Sequence, residues 1–302
     1  MSEIKKQKKK KSFAPIGKVS NRWGWGFVSI SVIMISVLVF IPMIQSFLLS
    51  LQSGQGNQLT FDGLSNYKRM LTDTTFRKAL GNTFLYLLIQ VPVMIILALF
   101  ISVLLNDKKL KCRSFFRIAI FLPCVTSLVS YSLIMKSIFS GDGLVNQILM
   151  AMHLISEPIG WTTSPAFAKA LIIISITWRW TGYNMIFYLS GLQNIDPSIY
   201  EAADLDGCNG FQKFFKIIVP QLKPIILFTT ITSTIGTLQL FDEVKNITDG
   251  GPANTTLTIS QYIYNLCFKY TPNFGYAAAI AFVVLVMIAI LSAIQMKVGG
   301  DD

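Results

Sequence analysis

Long apolar stretches alternate with short polar ones along this chain, and the apolar stretches have the length a bilayer demands. A helix needs about 20 mostly apolar residues to cross the hydrocarbon core. Residues 26–49, 80–105, 114–139, 167–189, 225–241 and 276–296 each meet that requirement. The second stretch has no charge between Lys78 and Asp107. The third is flanked by Arg117 and Lys136 around an uncharged interior, and the fourth is interrupted by Arg179. The pattern predicts an all-α polytopic membrane protein with six transmembrane helices.

Composition agrees. Of 302 residues, 52% are hydrophobic and 14% charged, against about 25% charged in a soluble domain. The net charge is +11, and its placement orients the chain. Lys5, Lys6, Lys8, Lys9, Lys10, Lys11, Lys18 and Arg22 precede the first apolar run. A lysine-rich head can bind nucleic acid, but directly before a hydrophobic helix it reads as a cytoplasmic anchor. Lys108, Lys109, Lys111 and Arg113, then Lys213, Lys216 and Lys223, then Lys297 fall on the same side. The opposite loops, 52–78, 141–165 and 246–273, hold only Lys68, Arg69, Arg77, Lys78 and Lys269. Under the positive-inside rule both termini are expected in the cytoplasm. No alanine lies between Ala14 and Ala79, so a small-residue cleavage site is missing and the first span is expected to be retained. The expected divisions are a basic head (1–23), a first helix with an external connector (24–78), a five-helix core (79–297) and a tail (298–302). Within the external loops, 144–154 is amphipathic enough to lie along the membrane surface.

Cys112, Cys124, Cys208 and Cys267 lack paired spacing, which argues against a disulfide framework or a zinc site. His153 is the one histidine and reads as a polar loop residue. No cofactor or metal is expected on this chain.

The cytoplasmic segment 191–223 is too structured for a connector. Pro197 and Ser198 can start a helix, with Ser198 and Glu201 at capping-box spacing. Ala202, Ala203 and Leu205 continue it, and Gly207 and Gly210 permit a reversal. Phe211, Phe214, Phe215 and Ile218 then recur at helical spacing, and Pro220 and Pro224 are expected to end this second helix before the fifth span. Two short helices projecting from a membrane offer something to grip.

Glu201-Ala202-Ala203, then Gly207 after three intervening residues, and Ile217-Ile218-Val219-Pro220 after nine more resemble the EAA loop of permease subunits in bacterial ABC importers. The family pattern has leucine where this chain has Val219. Residues 183–192, 248–252 and 274–281 extend the resemblance, over about 80–296, to the carbohydrate-uptake branch of maltose and glycerol-phosphate type permeases. The resemblance implies a type I importer permease fold in a bacterial plasma membrane. It also implies a second homologous permease subunit in a heterodimer, two ATPase subunits that use ATP and magnesium, and an extracellular solute-binding protein. The sequence has no G-x-x-x-x-G-K-[ST] loop, so energy is expected from such partners. In this reading Glu201, Ala202, Ala203, Asp206, Gly207, Phe211, Phe214, Phe215, Ile217 and Pro220 dock an ATPase. The phenylalanine stripe supplies affinity, Glu201 and Asp206 orientation, and Gly207 close backbone approach.

The solute path is the second candidate. Arg179 lies about 20 Å of helix before Leu192, where a charge is costly. Trp178, Trp180, Tyr183 and Asn184 surround it in sequence, offering aromatic faces and polar groups suited to a sugar. Arg179 reads as path-lining or internally paired; an interfacial belt with a snorkelling arginine is the alternative. The hydroxyls of 229–237 read as interhelical glue or as path. The resemblance favours the positions of Ser233, Gly236, Thr237 and Leu240 as facing solute. Asp242 and Glu243 could pair with Lys245 or meet a docking protein. The expected function is import of a di- or oligosaccharide. Glycerol phosphate in the same architecture is an alternative, though Arg179 alone supplies little positive charge. A membrane-embedded enzyme would need clustered carboxylates or histidines, and an ion-coupled carrier would need acids within the spans, which are absent there.

Overall fold

The computed structural model describes residues 18–56, 58–107 and 109–300, with the side chains of 18–23 also outside the description. The predicted lysine head therefore lies almost wholly outside the described residues, as do Lys108 and the last two residues of the tail. Contacts divide the chain after Leu48. The first unit is helical: α1 (Lys18–Ile35), a π-helical turn (Ser36–Phe40) and α2 (Ile41–Ser50), which runs on into the second unit. Its stretch 24–48 is apolar and none of its residues is buried. A helix apolar all round suits lipid.

The larger unit opens with an antiparallel hairpin, β1 (Gln52–Gln55) and β2 (Gln58–Phe61), and with α3 (Ser65–Thr72). Asn66 ties them together, its amide donating to the carbonyls of Ser50 and Gln52 at 3.0 and 2.7 Å. The helices α4 (Thr74–Asn106), α5 (Arg113–Val125), α6 (Leu128–Ile138), α7 (Leu144–Ala151) and α8 (Pro165–Gln193) follow. Then come α9 (Pro197–Leu205), α10 (Gly210–Lys213), a π turn (Phe214–Ile218), α11 (Val219–Leu238), α12 (Asp242–Ile247), α13 (Ile259–Tyr264), a further π turn (Asn265–Lys269) and α14 (Phe274–Gly300).

The described residues hold four helices long and apolar enough to cross a membrane, or five if α5 and α6 count as one broken span. Two expectations change here. The stretch 114–139 is not one straight helix: α5 and α6 meet at 108°. Pro123 removes a backbone donor, and Thr126 adopts an extended conformation at the break. The stretch 167–189 does form a helix, α8, but it falls outside the apolar group. At 29 residues it is about 43 Å long. It is packed by α4, α5, α11 and α12, so its polar residues Thr177, Arg179, Thr181 and Asn184 meet protein.

The prolines also act differently from expectation. Pro220 and Pro224 do not end a helix; one continuous helix runs from Gly210 to Leu238. The π turn before Pro220 absorbs its missing N–H, with Val219 N–H reaching back five residues to Phe214 O. Pro42 follows the same device, with Ile41 N–H reaching Ser36 O.

A polar knot fixes α4 to α13 and α14. Asp73 caps α4, accepting from the N–H groups of Thr75 and Phe76 at 2.8 and 3.2 Å. Its other oxygen accepts from Tyr262 and Tyr276 hydroxyls at 2.6 and 2.7 Å. Burial pushes the Asp73 carboxyl up, but these hydrogen bonds outweigh burial and hold it below the ordinary carboxylate range.

Candidate functional site

The segment after α8 folds as two linked helical pieces. Asp196 caps α9, accepting from Ser198 N–H at 2.9 Å. The expected box at Ser198 and Glu201 does not form. Pro197 is the first residue of the helix, which places the cap at Asp196, two residues before Ser198. The capping box lies at the start of α10, where Asn209 and Gln212 exchange side-chain to backbone bonds of 2.9 Å each way. Between them, α9 ends in a Schellman arrangement: Cys208 N–H donates to Ala203 O at 2.9 Å and Gly207 N–H to Asp204 O at 3.1 Å. Gly207 has φ +72°, which glycine adopts without strain. An ion pair between Lys213 and Asp204 staples α10 to α9.

This geometry sorts the expected docking residues. Ala203 and Ile218 are buried, and Phe214 packs with Ile218, Leu222, Leu189 and Leu192. Ile217 is half-buried. Glu201, Ala202, Asp206, Gly207 and Pro220 are exposed. Phe211 and Phe215 stay exposed, their rings 4.6 Å apart between centroids. The phenylalanine stripe is thus split between an inward and an outward face. Leu205, read from the sequence as part of the first short helix and not as a docking residue, is 90% exposed. Its place just before the αL glycine was the signal that could have marked it.

The second site gathers on α8. Cys124, Arg179, Trp180 and Tyr183 line a cavity of about 290 Å³. Cys124 Sγ donates to Arg179 O at 2.9 Å. Gly182 lets α5 approach, since a Cβ there would sit 2.3 Å from Ile120 O. Trp180 lies edge-on to Tyr183 at 5.7 Å, and a Cβ on Gly236 would meet its indole at 2.9 Å. Gly236 and Trp180 are therefore brought together, whereas Trp178 is half-exposed and does not line the cavity.

Arg179 is internally paired: Nη1 lies 3.2 Å from Glu243 Oε1, across 64 residues of sequence. Lys245, the partner expected for Asp242 and Glu243, instead pairs with Asp249 at 2.7 Å. Lys269 pairs with the same carboxylate at 3.1 Å, and Gln261 donates to it. Burial acts on Asp249 too, but the two lysines hold its carboxyl below the ordinary range.

Asn184, Ser233 and Thr237 are buried and knit helices together. Asn184 donates to Trp180 O at 2.8 Å and to Ser233 Oγ at 3.4 Å. The Thr237 hydroxyl lies 2.9 Å from Gln90 Oε1 on α4. Gln90 Nε2 and Asn184 Oδ1 remain buried without partners. Leu240 is buried among Tyr86, Ile176 and Val244. Of the positions read as facing solute, only Gly236 borders the aromatic wall; the others sit in the interhelical core in this conformation. Among the described residues no group of three or more His, Cys, Asp and Glu could hold a metal ion.

Residues 111–298 match the family model described as the binding-protein-dependent transport system inner membrane component. The chain is 56% identical over 274 residues to the lactose transport system permease protein LacF of Rhizobium radiobacter, covering 90% of this chain and 92% of that one. It is 36% identical over 277 residues to the arabinooligosaccharides transport system permease protein AraP of Bacillus subtilis, covering 89% and 86%. The fold matches a chain of a bacterial ABC transporter involved in the import of the acidic polysaccharide alginate. That match has a TM-score of 0.79 at 21% identity and covers 93% of this chain and 96% of the other.

Proposed function

The chain belongs to the binding-protein-dependent transport system inner membrane component family, and from that premise we propose that it carries a neutral di- or oligosaccharide into the cytoplasm. It is a multi-pass plasma-membrane permease subunit of an ABC importer, a transporter component and not an enzyme. The observation that carries the powering half of the reading is the capped projection of α9 and α10. It leaves Leu205, Phe211 and Phe215 in solvent, where an unpartnered apolar cluster invites a protein partner. An ATPase subunit fits that role, docking Glu201, Asp206 and the outward phenylalanines while Gly207 admits its backbone closely. Phe214 and Ile218 hold the projection to the body and transmit its movement. Two such ATPase subunits, binding ATP and magnesium, would serve this chain and a homologous partner permease.

The solute half rests on the cavity of Arg179, Trp180 and Tyr183. Aromatic faces stack on the C–H surfaces of sugars, and a guanidinium donates to their hydroxyls. Relatives named for lactose and arabinooligosaccharides support the same class. Six crossings with both termini in the cytoplasm put the projection inside and the loop of 248–257 outside, where an extracellular solute-binding protein would deliver cargo. The bent pair α5–α6 and the long α8 supply the crossings beyond the four apolar helices. Co-purification of the tagged chain from its own membranes, followed by ATPase assay against a sugar panel, tests the reading. An associated ATPase stimulated by a neutral oligosaccharide is expected; a chain that captures no ATPase subunit sinks it.

A further inference from the structure

Arg179 is the one charged side chain among the residues lining the α8 cavity. A bare guanidinium there would make an anion site. Glu243, 4% exposed, lies behind it with Oε1 3.2 Å from Nη1. At that distance the two charges cancel for anything bound more than a few ångströms away. Asp242, the next acid on α12, is half-buried and does not line the cavity. The bond to Glu243 uses only Nη1 of a group with several N–H donors. Arg179 Nε is buried without a partner, so the donors a solute can reach are those on the terminal nitrogens of a side chain that is 21% exposed. The guanidinium thus keeps hydrogen-bonding capacity while its net charge is cancelled.

We propose that Glu243 is a specificity-determining residue: by cancelling the Arg179 charge from behind, it makes the cavity accept a neutral hydroxyl-rich solute and discriminate against an anionic one. The side chain does not need to touch the solute to do this. It sets the potential in which Arg179, Trp180 and Tyr183 meet it. Removing the carboxylate turns the same donors into an anion trap, the repulsive half of specificity being lost with it. The inference rests on the carbohydrate reading for the solute class and not for the electrostatics.

Cys124 lines the same cavity and reports its potential without any sugar. In the complete importer in nanodiscs, with Cys112, Cys208 and Cys267 replaced by serine, Cys124 is modified with two methanethiosulfonates, the anionic sulfonatoethyl and the cationic trimethylammonioethyl reagents. Glu243→Gln is expected to raise the anionic-to-cationic rate ratio about tenfold. Arg179→Gln, which leaves Glu243 alone, should lower it by about as much, and serves where Glu243→Gln does not assemble. The double variant should return to the starting ratio. Equilibrium dialysis of the same complexes with lactose and lactobionate should show the preference moving toward lactobionate in Glu243→Gln. An unchanged rate ratio in an assembled single variant overturns the proposal, as does a shifted ratio with an unchanged sugar preference. If the ratio shifts but the unsubstituted complex binds neither sugar, the charge cancellation stands and the carbohydrate reading falls.

Discussion

Residues 196–220 and the cavity beside Trp180 are built from similar side chains, aromatic and charged, yet they are held in opposite ways. The projection presents Leu205, Phe211 and Phe215 to solvent and is organised by bonds between near neighbours in sequence: Asp196 to Ser198, Ala203 to Cys208, Asn209 to Gln212. The cavity is held by bonds between distant residues, Arg179 to Glu243 and Thr237 to Gln90, the latter 147 positions apart. A locally folded surface can keep its shape while a partner pulls on it. A site assembled from five helices changes whenever those helices shift. The contrast suits one region to gripping and the other to opening and closing around cargo.

The comparison breaks first at Gly207. A Cβ there meets nothing within 4 Å in this chain, and the αL backbone costs an L-residue about 1–2 kcal/mol, so Gly207→Asp should insert and fold. Uptake in cells should nevertheless fall about a hundredfold or more, because in the proposed docking the added carboxylate stands where the ATPase backbone approaches. Normal uptake by that variant would remove the projection from the powering role. Next comes the interior. Arg179→Met strands a buried Glu243 and should lower stability in detergent by about 3–5 kcal/mol, read from thermal unfolding of the purified chain. Adding Glu243→Leu should recover most of it, and a double variant as unstable as the single would show that packing, not charge, dominates.

Phe211→Ala with Phe215→Ala should weaken ATPase association by about 2 kcal/mol while leaving the chain's own stability nearly unchanged, as measured by titrating the subunit onto nanodiscs. Asp73→Asn tests a place remote from both regions and should cost about 1–2 kcal/mol. Because the Asp73 carboxyl is held below its ordinary value in the folded chain, its contribution is present above the unfolded value of about 3.9 and disappears as the pH falls below it. The unfolding profile of Asp73→Asn should therefore be flatter than that of the parent below about pH 4.

The projection was largely legible in the sequence because its signals are local: Pro197, Gly207 and the helical spacing of Phe211 to Ile218. Its finer errors came from prolines. Pro197 moved the first cap to Asp196, and Pro220 was read as a terminator when a π turn carries the helix past it. The bend between α5 and α6 was hidden because a uniformly apolar run does not record where its backbone turns. Arg179 drew notice as a charge in an apolar stretch, but nothing near it in sequence pointed to Glu243. A contact made by two helices crossing leaves no spacing to read. For the same reason the hydroxyls of Ser233 and Thr237 could not be divided between glue and path until their neighbours on α4 and α8 were in place.

The uninterrupted run from Gly210 to Leu238 has a mechanical meaning. Phe211 stands near one end and Gly236, against the Trp180 indole, near the other, with no hinge loop between them. The π turn at Phe214–Ile218 is an underwound coil in an otherwise stiff shaft, a place suited to absorb torque. If the proposed docking holds, a twist applied at Phe211 would travel along this shaft about 37 Å and arrive as a change in the gap at Gly236, which would make the proline that looked like a stop part of a driveshaft.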